Sequence, residues 1–356
     1  MPEAQRNSLP DAGRETQANP SVILVATDLS ELDRLMPFAL EQATETGARL
    51  ILLHVVGTGA ALATDAVGMP YYSPAGAIEF ATQTLEPWCA LASRENMVCE
   101  GLVREGNPAQ QIAAVIRQFR VDRVLLGTRS RSRLGKLLLG SVAEQVLRSV
   151  NLPVMTVGPE AHSEEIATAA RGERAILHAT TLGENARASA ELACRIAAKQ
   201  GARLLLMHVL PALSARGGFE ESHGTRGQSG QAAGPDSAAL QELSRMAAQL
   251  AAGAAGEPRC PAIAPQVVHG NPAIEILAAA AGSHANLIVL GATDRSAFAN
   301  LTRDRTIYRV LAHARCPVLT LREVQVAPAA GERQGVVLHF QGQEPIWGVG
   351  RDGQKS

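Results

Sequence analysis

The residues of this chain best suited to chemistry lie in one short stretch. Gly127, Ser130, Gly140 and Ser141 follow the spacing Gly-x2-Ser-x9-Gly-Ser, with Arg129, Arg131, Arg133 and Lys136 between them. A glycine lets backbone approach an anion closely, a helix start presents free N–H groups, and a serine hydroxyl adds a donor. Together they have the make-up of a phosphate cradle. A basic run alone is usually a solvated turn; the Gly140-Ser141 pair at a helix start favours the anion reading. Asp28 follows an apolar run and could either face a ligand or cap the next helix, and Val55 closes a second apolar run. His54 and His208 recur at equivalent places, but no further ligands stand at metal spacing, so they read as packed histidines and no metal site is assigned.

Catalytic signatures are missing. Gly135-Lys136 is followed by leucine, which rules out a P-loop, and Gly57-x-Gly59 has Leu62 where a dinucleotide fingerprint needs its third glycine. No Gly-x-Ser-x-Gly elbow or His-Glu-x-x-His pair occurs. No catalytic residue is assigned, and a fast ATP-consuming enzyme is not expected.

The elements that must position these residues occur twice. ILVATDLSE from Ile23 returns as ILHATTLGE from Ile176, and GARLILLHVV from Gly47 returns as GARLLLMHVL from Gly201. Residues 106–157 align without a gap with 270–321, with 16 identities in 52 positions. The expected domains are therefore 20–158 and 172–323. Residues 1–19 and 324–356 are tails, 159–173 reads as a linker running into the second repeat, and 211–237 is a Gly/Ser-rich insertion.

Within the first repeat, short β-branched runs alternate with segments of helical period. The pattern predicts strands over 22–27, 50–56, 97–103, 123–127 and 154–157, and helices over 32–46, 75–95, 108–120 and 141–149. Gly47 is placed as a helix C-terminal glycine, and Asn107-Pro108 as a cap and first helical residue. Strands apolar on both faces call for helices on both sides. The expected fold is α/β, with two three-layer α/β/α domains that each hold a five-stranded parallel sheet of Rossmann-like type.

Composition narrows the function. The 356 residues carry 33 Lys plus Arg against 34 Asp plus Glu, so no bulk positive field exists to hold nucleic acid. No apolar run reaches the roughly 18 residues of a membrane span, and residues 1–20 lack the apolar stretch of a signal peptide; a cytoplasmic protein with no membrane partner is expected. The five cysteines, odd in number and without a Cys-x-x-Cys pair, fit reduced thiols.

The spacing resembles that of the universal stress protein family, whose nucleotide-binding copies carry Gly-x2-Gly-x9-Gly-(Ser/Thr) after the fourth strand. Here serine, at position 130, replaces the second glycine. Asp28 after the first strand and His54-Val55 at the end of the second also match, and the likeness covers both repeats. It implies a tandem member with the HUP-like fold that binds ATP, with Mg²⁺, or a related adenine nucleotide. Asp28 would face the adenosine end and Val55 the base, while Gly127, Arg129, Ser130, Gly140 and Ser141 surround ribose and phosphates.

In the second repeat, Thr181 aligns with Asp28, Asp294 with Ser130, and Asp304-Arg305 with Gly140-Ser141. Two carboxylates where phosphate would lie repel it, so this copy is expected to be a degenerate partner. The resemblance further implies that the repeats pair through their last strands, 154–157 and 318–321, leaving little exposed edge, and that the role is regulatory in a stress response, through a protein partner the sequence does not identify. A homodimer is compatible with it. The alternatives are a nucleotide-free dimerisation scaffold and a slow ATPase.

Overall fold

The computed structural model describes residues 20–57, 62–64, 70–72, 74–128, 139–161, 174–182, 186–211, 235–253, 261–292 and 306–322. The expected tails, nearly all of the 211–237 insertion and most of the linker lie outside these residues.

The first repeat runs β1 (Val22–Thr27), α1 (Leu32–Thr46), β2 (Arg49–Val56), α2 (Pro74–Arg94), β5 (Cys99–Glu105), α3 (Pro108–Phe119), β6 (Arg123–Gly127), α4 (Ser141–Ser149) and β7 (Val154–Val157). A small antiparallel pair, β3 (Leu62–Thr64) with β4 (Pro70–Tyr72), stands between β2 and α2 and was not expected from the sequence; strands of three residues are too short to leave a periodic signal. The second repeat runs β8 (Ala175–Ala179), α5 (Arg187–Gln200), β9 (Arg203–Leu210), α6 (Pro235–Gly253), β10 (Ile263–His269), α7 (Pro272–Gly282), β11 (Leu287–Ala292), α8 (Thr306–His313) and β12 (Val318–Arg322).

Local chemistry explains the element ends. Gly47 closes α1 at φ 72°, a left-handed conformation in which glycine has no Cβ to clash, and its N–H reaches the Ala43 carbonyl. Asn107 caps α3 by accepting from the Gln110 N–H, and Asn271 caps α7 in the same way from Ala273 and Ile274, each followed by proline.

Strand order in the first repeat is β7-β6-β1-β2-β5, every neighbour parallel, and the second repeats it as β12-β11-β8-β9-β10. The two five-stranded sheets do not stand separately. β7 and β12 pair antiparallel, joining them into one mixed ten-stranded sheet. Met155 lies opposite Leu319, its own counterpart in the ungapped alignment, so a local twofold axis passes through that pair. The expectation of little exposed edge needs correction: pairing removes the inner edge of each sheet, whereas β5 and β10 remain as the two outer edges. These strands also depart from the expected apolar pattern. β5 (CEGLVRE) and β10 (IAPQVVH) have no fully buried residue, because an edge strand is covered on fewer sides.

The core lies on the inner strands. Ile23, Leu24, Val25, Leu50, Ile51, Leu52, Val124 and Leu125 are fully buried in the first half, and Ile176, Leu177, Ile288 and Val289 in the second.

Candidate functional site

The strand order itself creates a crevice. From β1 the chain passes to β2 and β5 on one side, then returns to β6 on the other, so the loops after β1 and β6 part above the carboxyl ends of the strands. A cavity of about 300 Å³ opens there. Its lining includes Asp28, Val55, Gly127, Gly140 and Ser141, five of the seven residues selected from the sequence. Arg129 and Ser130 lie outside the described residues.

Each residue reaches the cavity for a local reason. β1 ends in register at Thr27 opposite His54, so β2 runs beyond it and carries Val55 into the opening. Gly127 is the last residue of β6. Thr128 continues past it, its N–H on the Val157 carbonyl, and its own carbonyl accepts from the Gly140 N–H. This bond returns the chain from the loop to the sheet and sets Ser141 at the first turn of α4, where Ser141, Val142 and Ala143 all line the cavity. Gly140 has φ −63° and ψ 144°, extended backbone that any residue can adopt. What glycine offers here is therefore the absence of a side chain at the cavity wall.

Asp28 sits in a strained turn. Leu29, next to it, has φ 73°, a costly conformation for a branched side chain, and its N–H is held by the Thr27 hydroxyl at 2.9 Å. The second repeat builds the same corner: Leu182 has φ 62° and its N–H is held by the Thr180 hydroxyl at 3.2 Å, with Thr181 in place of aspartate. The turn thus forms without the carboxylate. Nor does Asp28 cap α1, whose N-cap is Glu31; its Oδ1 accepts instead from the Ser30 N–H and hydroxyl, at 2.9 and 2.7 Å.

Sequence reasoning missed Glu31. Its side chain is 6% exposed, pairs with Arg34 at 2.7 Å and lines the cavity. It also lies directly over Gly127, where a Cβ would meet Glu31 Oε2 at 1.7 Å. Glycine at 127 thus leaves room for a buried carboxylate in its present place, and Arg34 offsets the charge that this carboxylate brings to the cavity. The clue was present in Glu31 and Arg34 at helical i, i+3 spacing just after Asp28.

A second missed group comes from the other repeat. The hydroxyl oxygen of Tyr308, in α8, accepts the Leu139 N–H at 3.1 Å in a buried setting. Leu139 immediately precedes Gly140, so the second repeat contacts the rim of the first repeat's cavity. His54 and His208 behave as packed strand-end histidines: each Nδ1 lies against the carbonyl of the neighbouring strand, Thr27 at 3.0 Å and Thr180 at 2.8 Å.

The cavity has two characters. Ala26, Leu53, Val55, Pro108, Ile112 and Leu126 give it an apolar wall, and the amino end of α4 with Ser141 gives it a donor end. Such an arrangement suits a ligand with a flat apolar part and an anionic part. Among the described residues, no group of three or more His, Cys, Asp or Glu could hold a metal ion, and no helix is long and apolar enough to cross a membrane.

Comparison with known proteins agrees with this architecture. A family model described as the universal stress protein family matches twice, over residues 21–158 and 173–322. A universal stress protein of Thermus aquaticus, described from the 3′ region of a sulfhydrylase gene, is 31% identical over 140 residues, covering 38% of this chain and 96% of its own length. One from Methanocaldococcus jannaschii is 29% identical over 144 residues, covering 38% of this chain and 80% of its own. Over both repeats, a crystal structure of a universal stress protein from Archaeoglobus fulgidus superposes with a TM-score of 0.60 at 20% identity, covering 85% of this chain and 99% of that one. At that identity the likeness shows the fold alone.

Proposed function

The chain belongs to the universal stress protein family as a tandem member, and from this premise we propose that its first repeat binds an adenine nucleotide, with ATP and its Mg²⁺ as the form best suited to the site. The observation that carries the proposal is the cavity that gathers Asp28, Val55, Gly127, Gly140 and Ser141 at the switch point of the sheet.

In this reading the base lies against the apolar wall near Val55, Asp28 receives hydroxyl donors at the adenosine end, and the phosphates meet Ser141 and the N–H groups opening α4. Arg129 and Ser130 would complete the phosphate loop. Mg²⁺ would accompany the nucleotide as the counter-ion of its phosphates. The second repeat, with Asp304 where Gly140 stands, serves as structural partner. The protein acts by occupancy rather than turnover: nucleotide binding changes what the surface around the basic loop presents to a protein partner, in the cytoplasm.

Calorimetric titration of the nucleotide-free protein with ATP and Mg²⁺ tests this reading. One site per chain is expected, weakened at least tenfold in Asp28→Ala with the thermal midpoint little changed, since the second repeat forms the same corner without aspartate. Equal affinity of the variant would remove Asp28 from the site, and absence of binding at millimolar ATP would favour a scaffold.

A further inference from the structure

Two of the cysteines lie together. Cys89, in the last turns of α2, and Cys99, the first residue of β5, have their sulfurs 3.3 Å apart, and both are half-buried free thiols. The fold brings them there in a short stretch: α2 ends at Arg94, the chain turns at Asn96 with φ 60°, the Met97 N–H reaches back to the Ala92 carbonyl, and β5 begins two residues later beneath the helix. Gly101 is a neighbour of the pair. It lies on the same face of β5 as Cys99, and a Cβ there would be 3.6 Å from Cys89 Sγ and 3.6 Å from Leu85 Cβ.

We propose that Cys89 and Cys99 form a dithiol that a peroxide closes reversibly into a disulfide, making the junction of α2 with the edge strand β5 a two-electron redox site. Closing from 3.3 Å to the roughly 2.05 Å of an S–S bond needs a shift of little more than an ångström. The Cys89 thiolate attacks the peroxide, takes one oxygen to become a sulfenic acid and releases hydroxide, which gains a proton to become water. The Cys99 sulfur then attacks the Cys89 sulfur, and the departing hydroxyl leaves with the Cys99 proton as a second water. Two thiols and one peroxide give one disulfide and two waters, and a thiol reductant reverses the oxidation.

The surroundings assign the roles. The Cys99 thiol donates to the Cys89 sulfur, which favours thiolate on Cys89 and lowers its pKa, while the same bond and burial hold Cys99 as a thiol. The carboxylates of Glu86 and Glu100 and partial burial oppose ionisation of Cys89, so peroxide must be in excess for rapid closure. Cys194 and Cys316 are buried, and burial pushes the Cys316 thiol up to about 12, which keeps it inert. The site lies at the amino end of β5, and the nucleotide cavity lies at the carboxyl ends of the strands, so the proposal stands independently of nucleotide binding.

The sequence makes the test direct. Trypsin cuts after Arg94 and Arg104, and no Lys or Arg lies between 50 and 93, so Cys89 falls in peptide 50–94 and Cys99 in peptide 95–104. The folded full-length protein is treated with a tenfold excess of hydrogen peroxide, alkylated under denaturing conditions and digested. The expected product is the two peptides linked and lighter by two hydrogens, lost after dithiothreitol, while Cys194 and Cys316 remain alkylated. In Cys99→Ser the linked species disappears and dimedone captures a sulfenic acid on Cys89. Recovery of both peptides as alkylated monomers from peroxide-treated protein would overturn the proposal, as would a link from either cysteine only to a second chain.

Discussion

Asp28 and Tyr308 show how much a single group near the cavity can carry. The conformation of Leu29 is set by the Thr27 hydroxyl, so the corner does not depend on the Asp28 carboxylate, whose Oδ1 accepts from Ser30. Tyr308 has the opposite character, because its hydroxyl accepts a buried backbone N–H that would otherwise be left unsatisfied. Tyr308→Phe is expected to cost about 1–3 kcal/mol in urea unfolding and to weaken nucleotide binding by loosening the rim at Leu139. An unchanged affinity would confine Tyr308 to stability. His178 gives a residue-scale pH dependence. It is fully buried in β8 with Nδ1 on the Val289 carbonyl, and burial lowers its pKa from 6.5 to about 4. Between these values the unfolded chain binds a proton that the folded chain does not. Its contribution is therefore complete above pH 6.5 and is lost as pH falls towards 4, amounting to about 3 kcal/mol. Urea unfolding at pH 7 and pH 4.5 should show this loss, and His178→Val, which installs the residue found at the equivalent position 25, should reduce it.

At the scale of elements, Gly127 and the first turn of α4 shape the cavity. Gly127→Ala would place a methyl group against Glu31 Oε2 and force the buried Glu31–Arg34 pair to move, so a loss of about 1–3 kcal/mol is expected by thermal unfolding. A neutral outcome would mean that Glu31 swings aside freely. Much of this was legible beforehand. The positions of β1, β6, α1, α3, α4 and β7 follow from apolar runs and from Gly47, Asn107 and Gly140 at the ends of the helices, because those residues answer local backbone demands. Four of the cavity-lining residues, Asp28, Gly127, Gly140 and Ser141, were legible because aspartate, glycine and serine at a strand-to-helix corner have few other duties, and Val55 because it closes an apolar run. Glu31 and Tyr308 were not, for a physical reason: one is buried against a glycine 96 positions away and the other bonds a backbone N–H 169 positions away, and neither contact leaves a local pattern. The edge strand β5 was placed two residues early because Met97 still belongs to the turn that closes α2.

At the scale of the molecule, the duplication is used to join two sheets into one. Equivalent strands meet across a local twofold, and equivalent threonines reinforce the join: the Thr156 hydroxyl donates to the Val318 carbonyl at 3.2 Å, and the Thr320 hydroxyl donates to the Val154 carbonyl at 3.1 Å. Both threonines are buried, so Thr156→Val and Thr320→Val should each cost about 1 kcal/mol in urea unfolding; strongly unequal costs would contradict equivalence across the axis. Away from the axis the halves differ. Arg174, just before β8, reaches Glu45 at 2.5 Å and Glu41 at 3.4 Å on α1, and Gln200 reaches Glu45 at 2.6 Å. The second repeat is thus fastened to the first at α1 and touches its cavity rim through Tyr308. The most direct test of this account is to denature the purified protein, measure any adenine nucleotide released, and titrate the emptied protein with ATP and Mg²⁺ beside Gly140→Asp, which carries the second repeat's residue. The account predicts close to one nucleotide bound per chain, lost in the variant while the fold persists; no binding by the unaltered protein at millimolar ATP, or undiminished binding by Gly140→Asp, would contradict it.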